Sequence, residues 1–345
     1  MADLDMCVFS QAQYASILRC LLNRQELTQE QVEAVLVALM AGHIEDIEAA
    51  ALLTAWRAKG ETAAELAAAA SVLRGSMIRL ETEQKNLIDT CGTGGDGFGT
   101  FNISTASALV VAGAGVPVAK HGNRAVTSRS GASDVLAALG VKLQPGAVWP
   151  RRTLESAGLA FCFAPEFHPA LARVGPLRKR LGVRTIFNCL GPLANPAGAA
   201  FQVVGVGGRD LLEPMSGALA RLSIEHAWVV IGEDGLDEVT LTGKTLVRQV
   251  RQGRVLELTL SPDDFGLPKC RLEDLSAGGP EESAAIIRQV LKGDAGPCSD
   301  IVLANAATAL LVVGRVHDLP EGVALARESI RSGQAARVLD KLKAT

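Results

Sequence analysis

The sequence predicts an α/β protein in two parts: a small N-terminal all-helical domain and a larger α/β domain with a mostly parallel sheet. Three observations lead there. Residues 12–80 carry apolar positions at helical spacing and no strand-like run. From Leu87 onward, short apolar runs alternate with helical or glycine-rich segments, the pattern of parallel strands joined by crossover helices. With 345 residues, 48% of them hydrophobic, the chain has material for two cores or one large one. The change of pattern sets the expected boundary near residue 85, giving 1–85 for the helical domain and 86–345 for the α/β domain.

The helical part reads as about four helices. Ile17, Leu18, Leu21 and Leu22 form an apolar stripe. Thr28 with Gln31 and Thr62 with Glu65 fit capping boxes, in which an N-cap hydroxyl and a polar side chain three residues on satisfy each other's backbone N–H groups. Gly42 and Gly60 sit where helices end, and the last helix is the Ala-rich stretch from Ala63 to Arg74. Leu52, Leu53 and Trp56 read as packing residues. Strands are expected at Leu87–Ile88, Val116–Ala119, Leu159–Phe163, Phe201–Val206 and Ala227–Ile231. Two more, Thr245–Val250 and Val255–Leu260, flank Arg251-Gln252-Gly253-Arg254 as a hairpin. Helices return at Glu281–Leu291, Ile301–Val313 and Gly322–Arg331.

Residues 89–105, Asp-Thr-Cys-Gly-Thr-Gly-Gly-Asp-Gly-Phe-Gly-Thr-Phe-Asn-Ile-Ser-Thr, carry the chemistry. Five glycines let the backbone approach a ligand, and Asn-Ile-Ser-Thr then opens a helix whose N-terminus favours phosphate. A second strand leads into Lys120-His121-Gly122-Asn123-Arg124, so a glycine-rich loop and a basic loop share one sheet edge, where ligands of open α/β sheets bind. A polyanionic small molecule fits there. Gly92, Gly94 and Gly97 also match the dinucleotide fingerprint. That reading needs a helix starting inside the motif and an acid on the ribose after the second strand, where this chain has Lys120.

After the strand ending at Ile231 comes Gly-Glu-Asp-Gly-Leu-Asp-Glu, and the adjacent carboxylates Asp237 and Glu238 suit a cation such as Mg²⁺, with the Ser104 hydroxyl as a further contact. His168 and the basic run Arg178-Lys179-Arg180 to Arg184 are expected on a helix and its exit, too far apart along one axis to meet one ligand together. Arg178 offers a planar fork for a carboxylate, and the run also reads as a solvated basic face. Residues 187–196 read as a rigid apolar connection. Cys91 and Cys162 read as small core residues. The seven cysteines are scattered with no C-x-x-C pair, which points to reduced thiols in a cytoplasmic protein. The balance of 34 basic and 37 acidic residues gives no field favouring nucleic acid or an anionic membrane. Neither a signal peptide nor a transmembrane run is expected, and His121 and His168 have no neighbouring nucleophile to form a triad.

Taken together, Asp-Thr-Cys-Gly-Thr-Gly-Gly-Asp (89–96), Asn-Ile-Ser-Thr (102–105), Lys-His-Gly-Asn-Arg (120–124), residues 184–196 and Asp-Gly-Leu-Asp-Glu (234–238) resemble the anthranilate phosphoribosyltransferase family. The motifs run in order over essentially the whole chain. The resemblance implies a nucleoside phosphorylase/phosphoribosyltransferase-like fold in which part of 180–200 returns to the helical domain. It implies a homodimer formed through that domain, Mg²⁺, and transfer of phosphoribose from phosphoribosyl pyrophosphate to anthranilate in tryptophan synthesis.

Residue by residue, the resemblance assigns phosphoribosyl pyrophosphate to Gly92, Gly95, Asp96, Thr100, Asn102, Ile103, Ser104 and Thr105 in the first loop. In the second loop it assigns Lys120, His121, Gly122, Asn123, Arg124, Ser128 and Ala132. Anthranilate goes to Gly92, Asn123 and Arg178, with His121 and His168 close by, and metal to Ser104, Asp237 and Glu238. Ala132 stands where relatives often carry Ser, and Arg180 where an acid is common. The implied chemistry needs no strong base, because an aromatic amine is already neutral at pH 7, so no acid or base is assigned. An anthranilate synthase amidotransferase is a further partner that the resemblance raises. The competing readings are a relative acting on another nitrogen nucleophile and a nucleic-acid-binding relative. Pyrimidine phosphorylases carry a Lys-Ser-Gly-Arg style of loop where this chain has Lys-His-Gly-Asn-Arg, and nucleic acid would call for a long basic groove.

Overall fold

A computed structural model describes residues 9–124 and 130–345. Four helices come first: α1 (Gln11–Leu22), α2 (Gln29–Ala41), α3 (Asp46–Lys59) and α4 (Ala63–Ser76). Thr28 and Thr62 close the expected capping boxes, and Gly42 ends α2 in the left-handed conformation (φ 76°). Glu65 does more than cap α4. Its carboxylate is buried and accepts from Leu27 N (2.8 Å), Trp56 Nε1 (3.1 Å), Lys59 Nζ (2.9 Å) and Thr62 N (2.9 Å). A charge with that many donors is tolerated in a core, and this one ties α3 and α4 to the loop between α1 and α2. Leu52, Leu53 and Trp56 are fully buried around it.

The sheet has seven strands: β1 (Ile88–Asp89), β2 (Val118–Gly122), β3 (Leu159–Phe163), β4 (Phe201–Gly205), β5 (His226–Gly232), β6 (Thr245–Arg251) and β7 (Arg254–Leu260). Their order is β3-β2-β1-β4-β5-β6-β7, parallel through β5 and antiparallel across the final hairpin. Gln252 (φ 50°) and Gly253 (φ 73°) form the two-residue turn, both left-handed as a tight hairpin requires. Strand order reverses between β1 and β4, which opens a crevice at their carboxyl ends.

Further helices cover both faces: α5 (Ile103–Gly113), α6 (Ala132–Ala138), α7 (Val148–Ala157), α8 (Ala164–Phe167), α9 (Val174–Leu181), α10 (Phe187–Leu193), α11 (Leu212–Arg221), α12 (Pro280–Lys292), α13 (Pro297–Val313), α14 (Leu319–Arg331) and α15 (Gln334–Ala344). Strand alternation sorts the core. Val203, Trp228 and Val230 point into a cluster with α5 and α12–α15, whereas Val204, Val229 and Ile231 point into one shared with α11 and the N-terminal bundle. Val174 and Leu177 of α9, and Phe187, Leu190 and Leu193 of α10, belong to that second cluster. Among the described residues, no single helix is long and apolar enough to cross a membrane.

Four local expectations need correction. The second strand does not end at Ala119 but continues through Gly122, paired residue for residue with β3. Residues 187–193 are helical, with Pro192 near the helix end, where its lost N–H costs one bond and the apolar face gains a place in the bundle core. His168 and Arg178 do not share one helix: a break and a 3₁₀ turn (Pro169–Ala172) separate α8 from α9. The tail carries a further helix, α15, and α13 begins at Pro297, where proline at the first turn costs nothing.

Candidate active site

The β1–α5 loop crosses the crevice. Thr93 N donates to Gly205 O (2.8 Å) at the end of β4, and Thr93 Oγ1 accepts from Gly207 N (3.0 Å). Gly94, Gly95, Gly97 and Gly99 all take positive φ, so the loop's path depends on glycine. A Cβ on Gly92 would lie 3.0 Å from Gly205 O, a close backbone approach that also favours glycine there. Asn102 caps α5, its Oδ1 accepting from Thr105 N (3.0 Å), while Ile103 N donates to Phe101 O (2.8 Å) and the Ser104 backbone N–H is hydrogen-bonded to the Glu238 carboxyl.

Lys120 and His121 lie within β2 and therefore point to opposite faces. Lys120 is buried, and its Nζ donates to Thr90 O (2.9 Å) and Ser104 Oγ (3.1 Å), placing an ammonium beneath the α5 N-terminus. His121 N donates to Asp89 Oδ1 (3.1 Å), and Asp89 Oδ2 accepts from Asn195 Nδ2 (2.7 Å). Burial raises the Asp89 carboxyl to about 6 against the pull of Lys120. His121 Nδ1 meets Gly191 O at 2.8 Å, and because a carbonyl only accepts, Nδ1 carries the proton. Its Nε2 is buried without a partner among the described residues. The His168 ring stands 5.0 Å from it, tilted by 49°. Burial holds His121 down to about 3, helped by His168, and His168 down to about 4, so both imidazoles are neutral at pH 7.

Arg178 rests its guanidinium on the Phe187 ring (5.5 Å) and makes no ion pair among the described residues. The basic run thus divides. Lys179 and Arg180 are exposed, with Arg180 paired to Asp46 of α3 at 3.0 Å, while Arg178 turns inward. Arg124 lies 5.9 Å from the Phe163 ring.

Burial pushes the Asp237 carboxyl well up, and Asp96, which shares a hydrogen bond with it, and Glu238 push it further. Glu238 is pushed up to about 8 by burial, against the pull of Lys120. Such crowded carboxyls carry more negative charge when ionised than Lys120 and Arg184 offset, and this fits a divalent cation. Among the described residues, no three His, Cys, Asp or Glu side chains are grouped as a metal cage. Mg²⁺ does not ask for one, since it accepts one or two carboxylates, waters and substrate phosphate.

One cavity of about 300 Å³ joins these groups. It is lined by Gly92, Gly95, Asp96, Thr100, Asn102, Ile103, Ser104, Lys120, His121, Gly122, Asn123, Arg124, Ala132, His168, Arg178, Asp237 and Glu238. Thr105 is not among the lining residues: its N–H serves the cap and its hydroxyl is buried. Ser128 lies outside the described residues. Cys91 lines the cavity instead of filling the core, with burial raising its thiol, whereas Cys162 is buried as expected. Sequence reading gave no role to Asp89, Thr93 or Asn195, which hold the two loops in register, and none to the guanidinium of Arg184 on the glycine loop. Their only signal was position within the motifs at 89–96 and 184–196.

The chain matches the glycosyl transferase family a/b domain over residues 84–336 and that family's helical bundle domain over residues 15–77. Anthranilate phosphoribosyltransferase of Symbiobacterium thermophilum is 46% identical over 328 residues, covering 95% of this chain and 96% of that protein. The Bradyrhizobium sp. (strain ORS 278) enzyme is 48% identical over 92% of this chain and 94% of that one. Among solved structures, anthranilate phosphoribosyltransferase from Thermus thermophilus superposes with a TM-score of 0.88 at 44% identity, covering 95% and 98% of the two chains. The Saccharomyces cerevisiae enzyme in complex with PRPP and Mg does so at 0.89 and 31%, covering 98% and 99%. By fold, by ordered motifs and by identity along nearly its whole length, the chain belongs to the anthranilate phosphoribosyltransferase family.

Proposed function

We propose that this chain transfers the 5-phosphoribosyl group of phosphoribosyl pyrophosphate (PRPP) to the amine of anthranilate, giving N-(5-phosphoribosyl)anthranilate and pyrophosphate in tryptophan biosynthesis. The observation that supports this reading best is what a single cavity brings together. The glycine loop, the start of α5 and Lys120, which would cradle a diphosphate, line the same cavity as the Arg178 guanidinium, which lies on an aromatic ring and has no ion pair among the described residues.

Mg²⁺ is the cofactor, and when bound it neutralises the diphosphate as pyrophosphate leaves. Asp237, Glu238 and Ser104 are the residues that would hold it. Gly92, Gly95, Asp96, Thr100, Asn102, Ile103, Lys120, Gly122, Asn123, Arg124 and Ala132 bind PRPP. Arg178 holds the anthranilate carboxylate through two charge-assisted bonds, and the neutral faces of His121 and His168 flank the aromatic ring. The amine nitrogen bonds to C1 of the ribosyl group as its bond to the pyrophosphate oxygen breaks, and the displaced amine proton passes to solvent or to pyrophosphate. Positive charge on the ribosyl ring makes the transition state oxocarbenium-like. Because both histidines are neutral and the amine is already unprotonated, positioning and leaving-group stabilisation carry the rate.

Residues 1–85 act as the dimerisation and cleft-forming unit and 86–345 as the PRPP-binding unit, with α9 and α10 serving the first. Exposed Leu22 and Ile47 (67% and 81%) support a homodimer through the bundle, and light scattering should give twice the chain mass. Six described free thiols and metabolite substrates support a cytoplasmic enzyme. An amidotransferase partner rests on the family alone. Neither nucleic acid nor a membrane is a partner in this reading. The test is product analysis: the chain with anthranilate, PRPP and Mg²⁺ should release pyrophosphate and phosphoribosyl-anthranilate in equal amounts. Pyrophosphate release independent of anthranilate would overturn it.

A further inference from the structure

Arg184 lies on the short connection between α9, which carries Arg178, and α10, which begins at Phe187. Its guanidinium reaches across to the β1–α5 loop, where Nη1 donates to the Gly94 carbonyl oxygen. A Cβ on Gly95 would fall on that same Nη1, and one on Gly207 of the β4–α11 loop would lie 3.3 Å from it. The space beside Gly95 is thus filled by this side chain, whereas at Gly207 a Cβ would meet the Gly94 carbonyl oxygen first, at 2.5 Å. Its positive charge also acts on the Asp237 carboxylate, and its Nη2 is buried with no hydrogen-bond partner among the described residues. A long cation would be expected to extend into solvent. This one is turned inward onto two glycine loops, and its burial is only partly repaid by the one bond it makes.

We infer that Arg184 is a positioning residue that holds the diphosphate loop and Asp237 in register with the segment presenting Arg178, so that the two substrate subsites are set by one guanidinium. The inference rests on the proposed function. Arg184 touches neither reacting atom. It acts by fixing the Gly94–Gly95 path whose backbone N–H groups must face the diphosphate, and by placing charge beside Asp237. Lysine at this position keeps a charge but loses the planar fork that bonds Gly94 while facing Asp237. A loop left to fluctuate must be ordered by its ligand, and that cost appears as weaker binding before any chemistry occurs.

The test is calorimetric titration of PRPP with Mg²⁺ into the full chain without anthranilate, for wild type, Arg184→Lys and Arg184→Ala, with a thermal midpoint measured for each. The expected result is a Kd raised about tenfold or more in Arg184→Ala and severalfold in Arg184→Lys, at thermal midpoints close to wild type. The Michaelis constant for PRPP should rise in parallel. Wild-type Kd in a folded Arg184→Ala would overturn the inference. Should Arg184→Ala not fold, Arg184→Lys decides: wild-type Kd there overturns it equally. Failure of the wild-type chain itself to bind PRPP with Mg²⁺ would instead overturn the functional reading, so the two failures are distinct.

Discussion

Replacing Arg178 with alanine isolates the proposed recognition of anthranilate. The guanidinium is half-buried and lies 5.5 Å from the centre of the Phe187 ring, so its direction is fixed before substrate arrives. Burial lowers its pKa, but an arginine remains charged throughout the working range. A hydrogen bond to a charged partner contributes about 1.5–3 kcal/mol, and at about 1.4 kcal/mol per decade this is some ten- to hundredfold. Arg178→Ala should raise the Michaelis constant for anthranilate by that factor, with the constant for PRPP changing less than about threefold, since Arg178 is not among the residues proposed to bind PRPP. Arg178→Lys keeps the charge, loses the fork and the flat contact with Phe187, and should fall between. Steady-state kinetics with each substrate varied in turn separates the outcomes. Equal losses for both substrates would refute the reasoning and make Arg178 a support for the cleft.

Three further expectations concern the acids, the histidines and Ala132. Glu238 titrates near 8 in the folded chain against 4.5 for the free side chain, so its contribution to stability is present below about 4.5 and is lost as pH rises towards 8. Glu238→Gln should therefore raise the metal-free thermal midpoint at pH 8, by about 1–2 °C for each kcal/mol recovered, while raising the Mg²⁺ needed for half-maximal activity; an unchanged Mg²⁺ requirement would remove Glu238 from the metal site. With His121 and His168 depressed to about 3 and 4, the stability they contribute is present above about 6.5 and lost as pH falls through those values, and anthranilate turnover should show no inflection near 6.5. An inflection there that disappears in His121→Gln would contradict the neutral assignment. Ala132→Ser adds a hydroxyl at the cavity wall and should lower the Michaelis constant for PRPP by roughly two- to tenfold, the worth of one ordinary hydrogen bond; a higher constant would mean that the position tolerates only a methyl group.

Much of this was legible from residues alone where local chemistry decides. The capping boxes at Thr28 and Thr62, the Gln252–Gly253 turn and the five glycines each state a backbone requirement that few alternatives satisfy. The motifs also predicted one sheet edge, and nearly every named residue lines the same cavity. What stayed hidden depends on tertiary packing. Lys120 and His121 read as loop residues because they are polar, yet β3 offers a full register of backbone partners and extends the strand through them. The stretch from Phe187 to Leu193 contains Gly191 and Pro192 and reads as a connection, but burial against the bundle outweighs poor helix propensity. Cys91 resembles any small core residue until the crevice between β1 and β4 opens beside it. Arg184 gave no sign of its direction, because nothing local distinguishes an arginine facing water from one turned onto a loop 90 residues away.

Anthranilate fluorescence provides the most direct measurement. With the purified chain, PRPP and Mg²⁺ present together, the signal should decay to completion at a rate proportional to enzyme. Omission of PRPP, addition of a chelator, or Asp237→Ala combined with Glu238→Ala should abolish or strongly slow that decay. A steady signal under complete conditions, from a chain that is folded and binds PRPP, would contradict the assignment of anthranilate as the nucleophile.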